Sequence, residues 1–248
     1  MLITVLPELP ISQDTLLLLV TTSFIASAWT AAIGVGGGTL VLAVLVIVVP
    51  VTAVVPLHSM VQLGSNSGRA VMTYHHISKP IFNRLLLGTT VGTVMALPLS
   101  AFWLTEHQLT LLLALFTLTV TWLPLPVIQQ RKPRNEIIFG AGLSFLGVFV
   151  SATGPLVAAY LRHQTNGRHE LAGTMAASVG TMNLFRIVLF TGLGFTWTEW
   201  VLPLALMIGA GFIGTRLGLL LLGRIPEATF QLILKGVLTL LAIMMIAR

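Results

Sequence analysis

The sequence predicts an all-α polytopic membrane protein whose two halves are repeated, with the second half inverted relative to the first. Three observations lead to this fold class. Apolar segments near 20 residues long follow one another, a glycine-rich break interrupts an early segment, and a second break recurs at the corresponding place in the second half. About 20 apolar residues in a helix span the ~30 Å hydrocarbon core of a bilayer.

The composition places the chain in a membrane. Of its 248 residues, 56% are hydrophobic and only 8% are charged, and the mean hydropathy is +0.97. Soluble domains carry about 25% charged residues. The polar segments are all far shorter than the roughly 50 residues that a soluble domain needs, so we predict a single transmembrane domain over residues 1–248.

Several classes of function are excluded. The chain contains no cysteine, which excludes disulfides, thiol chemistry and cysteine-ligated metal sites. The net charge of +6 comes mostly from short loops and helix ends, where basic residues orient a membrane protein, so it does not predict nucleic-acid binding. Neither a P-loop, an H-E-x-x-H motif nor a nucleophile–base pair is present. We therefore predict no enzyme activity, no cofactor and no metal.

The first half begins with a helix over residues 14–33, which leads to the first break, residues 34–39, with the sequence GVGGGT. Four glycines in five positions break a helix, because each weakens its interior by about 1 kcal/mol relative to alanine. Unbonded backbone is tolerated inside a membrane only where it is buried in protein or lines a wet cavity. Further helices are predicted over 40–49, from Pro50 to about His75, over 81–104 and over 109–128.

The second half follows a basic loop at 129–136. A helix over 137–150 meets the second break, residues 151–155, with the sequence SATGP. A short helix over 156–161 and a polar loop over 162–170 come next. The last three helices are predicted over 171–190, 197–222 and 228–246.

The two halves look like a duplication of about residues 14–128 and 137–247. In each half an asparagine follows the glycine of the break by 28 or 29 residues, and an arginine lies three residues after the asparagine. The matching pairs are Gly38 with Gly154, Asn66 with Asn183, and Arg69 with Arg186. The common order and spacing of these residues predicts internal repetition.

Loop charge leaves two topologies open. The basic loop at 129–136 is predicted to be cytoplasmic. If each break is the tip of a re-entrant hairpin, the loop at 162–170 is cytoplasmic too, and each repeat is one hairpin and three spans, in opposite orientations. If each broken segment is instead one kinked span, that loop lies outside in a conventional eight-span fold. The hairpin arrangement fits the charges better, and inverted repeats with broken helices are a common transporter plan.

The order of these features resembles the TauE/SafE family of membrane permeases, which is named for sulfite and sulfonate export. The resemblance is carried by the glycine break at 34–39, the proline-rich segment that ends in Gln62-Leu-Gly-Ser-Asn66, and Thr153-Gly154-Pro155. It covers about residues 14–247. Family members commonly have a proline soon after the first break, whereas here none occurs before Pro50. The resemblance implies a transporter in the bacterial plasma membrane for a sulfur oxyanion, sulfite or an organosulfonate.

We interpret the two breaks as an anion-binding device. A helix that starts at Gly38 or Thr39 points free N–H groups and a positive dipole end into the protein, where they bind anions without a side chain. Pro155 at a first helical position repeats this design. The alternative is that the glycines only allow close helix packing. The candidate substrate-binding residues of the breaks are Gly36, Gly37, Gly38, Thr39, Thr153, Gly154 and Pro155.

A polar stripe follows one face of the helix that begins near Pro50. Its members are Ser59, Gln62, Asn66, Arg69 and Thr73. Such a stripe on a membrane helix faces the bundle or a cavity. The first four are therefore candidate substrate-binding residues, together with Asn183 and Arg186 of the second half. The alternative is hydrogen bonding between helices, worth about 1 kcal/mol per bond.

Charges inside the predicted spans are all positive. They belong to Arg69, Arg186, Arg216 and Lys235, whereas the seven acidic residues lie in loops or at helix ends. A positive interior favours an anion over a cation, although long side chains near span ends also snorkel to the interface. His58 lies beside the stripe and is a candidate for proton coupling, with a plain hydrogen bond to a neighbour as the alternative.

Two functions stay open on the sequence. One is a secondary carrier for small anions with its site between the two breaks near the midplane. The other is an anion channel of the same architecture. The expected partners are a small anionic substrate and the lipid bilayer, and the small-residue helix faces are compatible with a monomer or a homodimer.

Overall fold

A computed structural model of the protein describes residues 10–33, 36–100, 105–123, 132–220 and 227–247. Within these ranges the fold is all-helical, with two short 3₁₀ turns before the fourth and ninth α-helices. The α-helices are α1 (Gln13–Ile33), α2 (Gly37–Val48), α3 (Val51–Met72), α4 (Lys79–Ser100), α5 (Glu106–Trp122), α6 (Pro133–Val150), α7 (Gly154–Arg162), α8 (Arg168–Gly192), α9 (Val201–Leu220) and α10 (Glu227–Ile246).

The helices occur where the sequence predicts them, and their ends differ by a few residues. α2 begins at Gly37 rather than at Gly38 or Thr39. α7 begins at Gly154, so Pro155 is its second residue rather than its first. Proline is tolerated here because the first N–H groups of a helix have no intrahelical partner. Residues 34 and 35 of the first break lie outside the described ranges.

Both interrupted segments turn back on themselves at the break. Gly37, the first residue of α2, lies against the backbone carbonyl of Ala26 and the hydroxyl of Thr30 in α1. Phe139 of α6 stacks on Tyr160 of α7, with ring centroids 4.0 Å apart. A continuous helix would separate these residues by roughly 10 to 30 Å, at 1.5 Å per residue. In each segment the chain after the break therefore folds back toward the helix before it.

Two pairs of long helices, α4 with α6 and α1 with α9, pack along each other. Glycines at the contacts let the helix backbones touch. A side chain at any of these glycines would overlap a backbone carbonyl of the partner helix. Residue numbers rise together along both partners, so each pair runs parallel. The contacts are Gly88 on Ile137, Gly92 on Ala141, Gly214 on Phe24 and Gly218 on Ala28.

The α4–α6 contact predicts opposite outcomes for one substitution at two glycines. Gly92→Ala should lower the melting temperature of the detergent-purified protein, because the new methyl group meets the Ala141 carbonyl and the helices must separate. Gly142→Ala, at an exposed position of α6 with open space around it, should leave the melting temperature unchanged or raise it. Equal melting temperatures for the two variants would contradict this packing.

α3 and α8 pack against each other in opposite directions. Near the centre of α3, a Cβ added at Gly180 would lie 3.6 Å from Asn66, and near its end Gly173 lies against Thr73. Numbers rise along α3 as they fall along α8, so the pair is antiparallel. One apolar core joins α1, α2, α3, α5 and α9, and a second joins α4, α6, α7 and α8.

Four helical stretches of the described chain are long and apolar enough to cross a membrane. They are Gln13–Ala31, Lys79–Leu99, Arg168–Gly192 and Thr198–Gly218. Large apolar side chains such as Leu17, Val188 and Leu232 are exposed on the outside of the bundle. An apolar exterior of this kind is what a lipid-facing surface requires.

Candidate anion site between the two helix breaks

An open cleft lies where the two breaks meet α3 and α8. The cleft is small, with a volume of about 30 Å³ for a water-sized molecule. Its walls come from the first break, the second break, the polar face of α3 and one face of α8. The lining residues are Thr30, Gly36, Gly38, Thr39, Gln62, Asn66, Arg69, Ala152, Gly154, Pro155, Met175 and Val179.

The polar face of α3 forms the charged wall of the cleft. Arg69 is half-buried, and its Nη2 donates to Asn66 Oδ1 at 3.1 Å and more weakly to Ser65 Oγ at 3.4 Å. The Asn66 Nδ2 donates to the Gln62 carbonyl at 2.8 Å. These bonds stay within α3 and leave Nη1 of Arg69 without a hydrogen bond among the described residues, so donors remain for a ligand.

The first break supplies the start of α2 and a buried hydroxyl. Gly36 has φ 101°, a left-handed conformation that glycine adopts without strain. The amide of Gln62 occupies the place that a side chain at Gly38 would take. Thr39 is only 2% exposed, and its Oγ1 has no hydrogen-bond partner among the described residues. A buried polar atom without a partner is costly, so this hydroxyl at the cleft wall is available to a ligand.

The second break is built around a strained turn at Ser151. Ser151 has φ 56° and ψ −47°, and the N–H of Ala152 bonds the carbonyl of Val150 at 2.7 Å, which closes a γ-turn. The classic form of this turn is rare and strained. Arg186 of α8 holds the turn, because its Nη1 donates to the Ser151 carbonyl at 2.8 Å and its Nη2 donates to Thr153 Oγ1 at 3.0 Å.

Each half carries the same asparagine–arginine hydrogen bond. Arg69 donates to Asn66 Oδ1 at 3.1 Å, and Arg186 donates to Asn183 Oδ1 at 2.8 Å. The surroundings differ, since the guanidinium of Arg69 faces the cleft, whereas that of Arg186 is 1% exposed and sits over Gly147. The second arginine is bonded to the break rather than open to a ligand.

His58 of α3 connects the two breaks behind the cleft. Its Nε2 lies 2.8 Å from the carbonyl oxygen of Gly38, and its Nδ1 lies 2.7 Å from Ser151 Oγ. Ser59 Oγ adds a contact of 3.3 Å to the same Ser151 hydroxyl. The imidazole is 1% exposed, so the two breaks and α3 form one hydrogen-bonded unit.

Neither Arg69 nor Arg186 has a carboxylate within 4 Å in the described part of the chain. A carboxylate does pair with Arg84, whose Nη1 lies 2.9 Å from Glu136 Oε2 near the starts of α4 and α6. Burying a cation without a counter-ion costs several kcal/mol, and here only neutral oxygens compensate for Arg186. The interior around the breaks is therefore positive.

The structure divides the residues that the sequence predicts into two layers. Those in the lining are Gly36, Gly38, Thr39, Gln62, Asn66, Arg69, Gly154 and Pro155. Those outside the lining are Gly37, which packs on α1, and Ser59, Thr153, Asn183, Arg186 and His58, which form the hydrogen-bonded unit behind it. Of the polar stripe on α3, only Thr73 lies apart, where its hydroxyl bonds the Arg69 carbonyl at 2.7 Å as the helix ends.

A family comparison agrees with this architecture. Residues 19–245, from α1 to α10, match the family model described as sulfite exporter TauE/SafE. This chain belongs to the TauE/SafE family. No curated protein and no solved structure matches it. Membership implies a membrane transporter of the sulfite-exporter class, and the long apolar helices fit a multi-pass membrane protein.

Sequence reasoning missed several residues of this TauE/SafE site. Ser151 is the most important, and a signal existed, since it is a hydroxyl residue inside a break. Met175 and Val179 of α8 line the cleft but look like ordinary apolar positions of a membrane helix. Glu136 lies at a helix end as predicted, yet it is only 3% exposed because Arg84 pairs with it.

Proposed function

We propose that this TauE/SafE protein is a secondary transporter that carries a sulfur oxyanion, sulfite or an organosulfonate, across the bacterial plasma membrane. The observation that carries the proposal is Arg69. Among the described residues it is the one charged member of the cleft lining, it has no carboxylate partner, and its Nη1 makes no hydrogen bond. A guanidinium with unused donors can donate parallel hydrogen bonds to two oxygens of one oxyanion.

The two helix starts at the cleft support the same site. α2 begins at the first break and α7 at the second, and both bring unpaired N–H groups toward the lining. Thr39 adds the buried hydroxyl without a partner. We infer that the anion lies between these two helix starts, with Arg69 supplying the charge and Thr39 and Asn66 supplying further donors.

The helix contacts support the proposed repeats. Let α1 to α5 correspond in order to α6 to α10. The α1–α9 contact then corresponds to the α6–α4 contact, and the α2–α3 contact corresponds to the α7–α8 contact. The α3–α8 and α5–α10 contacts map onto themselves. These four correspondences are what a two-fold axis between the halves produces. The α1–α2 and α2–α10 contacts have no counterpart of similar extent at α6–α7 and α5–α7, so the symmetry is partial in the described chain. The glycine contacts of α4 and α9 follow the same correspondence.

The direction of the self-mapped pair supports inversion. A two-fold axis along the helices would leave α3 and α8 parallel, whereas an axis across them makes the pair antiparallel, as the contacts of Asn66 and Thr73 with α8 require. Two kinked spans in place of the folded-back pairs would also make α3 and α8 parallel. We therefore propose inverted repeats whose hairpins enter from opposite sides of the membrane and meet at the cleft, with transport by rocking or gating around it.

Counterflow in proteoliposomes tests the transport proposal. Vesicles preloaded with sulfite should take up radiolabelled sulfite saturably, and external unlabelled sulfite or methanesulfonate should compete with the labelled sulfite. A carrier accelerates exchange when substrate is present on both sides, because the loaded site returns without a separate empty step. A channel of the same architecture would instead give flux driven by the gradient alone, with no acceleration by anion on the opposite side.

A ligand-stability measurement tests the anion site separately. Sulfite and methanesulfonate at about 100 times their Kd should raise the melting temperature by roughly 5 °C, since ligand at that excess adds about 2.7 kcal/mol. Sodium, potassium and magnesium, added as chloride salts, should leave it unchanged. Stabilisation by cations with none by the sulfur oxyanions would overturn the anion proposal.

A further inference from the structure

The hydrogen bonds of His58 determine which of its nitrogens carries the proton. A carbonyl oxygen only accepts, so the Nε2–H must donate to Gly38 O across 2.8 Å. In the neutral ring Nδ1 then accepts from the Ser151 hydroxyl across 2.7 Å. Both nitrogens are occupied, one by the first break and one by the second, and His58 itself does not line the cleft.

Ser151 is held on both sides. Its hydroxyl bonds His58 of α3, and its carbonyl accepts from Arg186 of α8 at 2.8 Å. A residue with φ 56° other than glycine keeps that conformation only when its surroundings over-determine it. These two bonds do so, and they tie the turn that precedes α7 to both central helices.

We propose that His58 is a positioning residue that sets the spacing between the starts of α2 and α7, and thereby the size of anion that the cleft accepts. This rests on the proposed anion-transport function. His58 acts through Gly38 and through Ser151. Gly38 lines the cleft itself, and so does Ala152, the residue after Ser151. Because one rigid ring joins both breaks, a change in its length or bonding moves one helix start relative to the other.

The same geometry disfavours a role for His58 in carrying protons. Among the described residues, Arg186 is the charged side chain that shares a hydrogen-bonding partner with His58. Its Nη1 lies 3.4 Å from Ser151 Oγ, which also bonds His58. An imidazolium would place a second positive charge on the same serine. The buried ring also lies outside the cleft through which protons would have to reach it.

Two substitutions of His58 separate positioning from proton coupling. Glutamine can donate to Gly38 O and accept from Ser151, but it does not titrate, whereas leucine can do neither. We expect His58→Gln to retain counterflow within about threefold of wild type, with the same ratio of sulfite to ethanesulfonate kcat/KM. Its rate profile between about pH 5 and 8, where histidine titrates, should match wild type. His107→Gln, at an exposed position of α5, is the matched control.

Loss of the bridge should change selectivity. His58→Leu should lower sulfite kcat/KM about tenfold or more, because it removes both buried hydrogen bonds of the bridge, to Gly38 O and to the Ser151 hydroxyl, and should shift the sulfite-to-ethanesulfonate ratio. Ser151→Gly removes the hydroxyl at the other end of the His58 bridge. It adds no backbone strain, since glycine accepts φ 56°. It should shift the ratio in the same direction as His58→Leu.

The outcomes that contradict the positioning role are distinct from those that contradict transport. A flattened pH profile in His58→Gln with its flux intact would make His58 a proton carrier and overturn the inference. An unchanged selectivity ratio in Ser151→Gly would overturn it as well, even if His58→Leu does not fold. Absence of saturable exchange of every anion by the wild-type protein would overturn the proposed function itself.

Discussion

Arg69→Gln is expected to lower kcat/KM for sulfite counterflow by about 10- to 100-fold. The side chain supplies the one charge among the described lining residues. Hydrogen bonds to a charged group are worth about 1.5–3 kcal/mol, where 1.4 kcal/mol is tenfold. Glutamine keeps a donor but is shorter than arginine and loses the charge. The measurement is the initial rate of exchange in proteoliposomes over a range of sulfite concentrations.

Two further arginine variants make the Arg69 result specific. Arg69→Lys should fall between wild type and Arg69→Gln, because an ammonium keeps the charge but lacks the planar pair of donors. Arg216→Gln removes an arginine that lies in the candidate span Thr198–Gly218 and is exposed on the outside of α9, and we expect it to transport within about twofold of wild type. A KM for Arg69→Gln equal to that of wild type would remove Arg69 from the substrate site.

Local spacing made much of the cleft predictable. Gln62, Asn66 and Arg69 lie three or four residues apart, and helix geometry alone puts them on one face, which the structure turns toward the cleft. Glycine runs predict a break wherever they occur in an apolar helix, so the first break and its lining residues could be found before any tertiary contact was known. The same holds for Gly154 in the second break.

The sequence could not predict which of the two arginines faces the cleft, because that depends on long-range packing. Arg69 and Arg186 follow the same pattern with their asparagines, yet one faces the cleft and the other is locked against Ser151 and Thr153. That difference depends on how close α6 and its break approach α8, which spacing along one helix does not report. Gly147 permits that approach, because a Cβ there would overlap the Arg186 guanidinium.

The two arginines therefore serve one site in different ways. Arg69 offers donors to a ligand, whereas Arg186 holds the strained turn before α7 and adds a fixed positive charge behind it. A charge preorganised by neutral oxygens requires no rearrangement when an anion arrives. With Gly38 matched to Gly154, Thr153 of the second break stands where the first break has Gly37, and its hydroxyl accepts from Arg186 at 3.0 Å.

Adjacent glycines in the first break should fail in different ways when each is replaced by alanine. Gly37→Ala places a methyl group on the Ala26 carbonyl and the Thr30 hydroxyl, so α1 and α2 must separate. Overpacking of backbone costs about 1–3 kcal/mol, which should lower the melting temperature by roughly 2 to 12 °C. Gly38→Ala meets only the Gln62 amide, a flexible side-chain end, so its melting temperature should stay near wild type.

Transport should respond to Gly38→Ala, the variant whose melting temperature stays near wild type. Gly38→Ala pushes the Gln62 amide into the cleft. We expect the KM for sulfite to rise about tenfold, which corresponds to a loss of about 1.4 kcal/mol of binding free energy. Gly209→Ala, at an exposed position of α9 with open space around it, is the control for both measurements. If Gly38→Ala instead melts early with an unchanged KM, this glycine serves helix packing alone, and the anion site must rest on Arg69 and the second break.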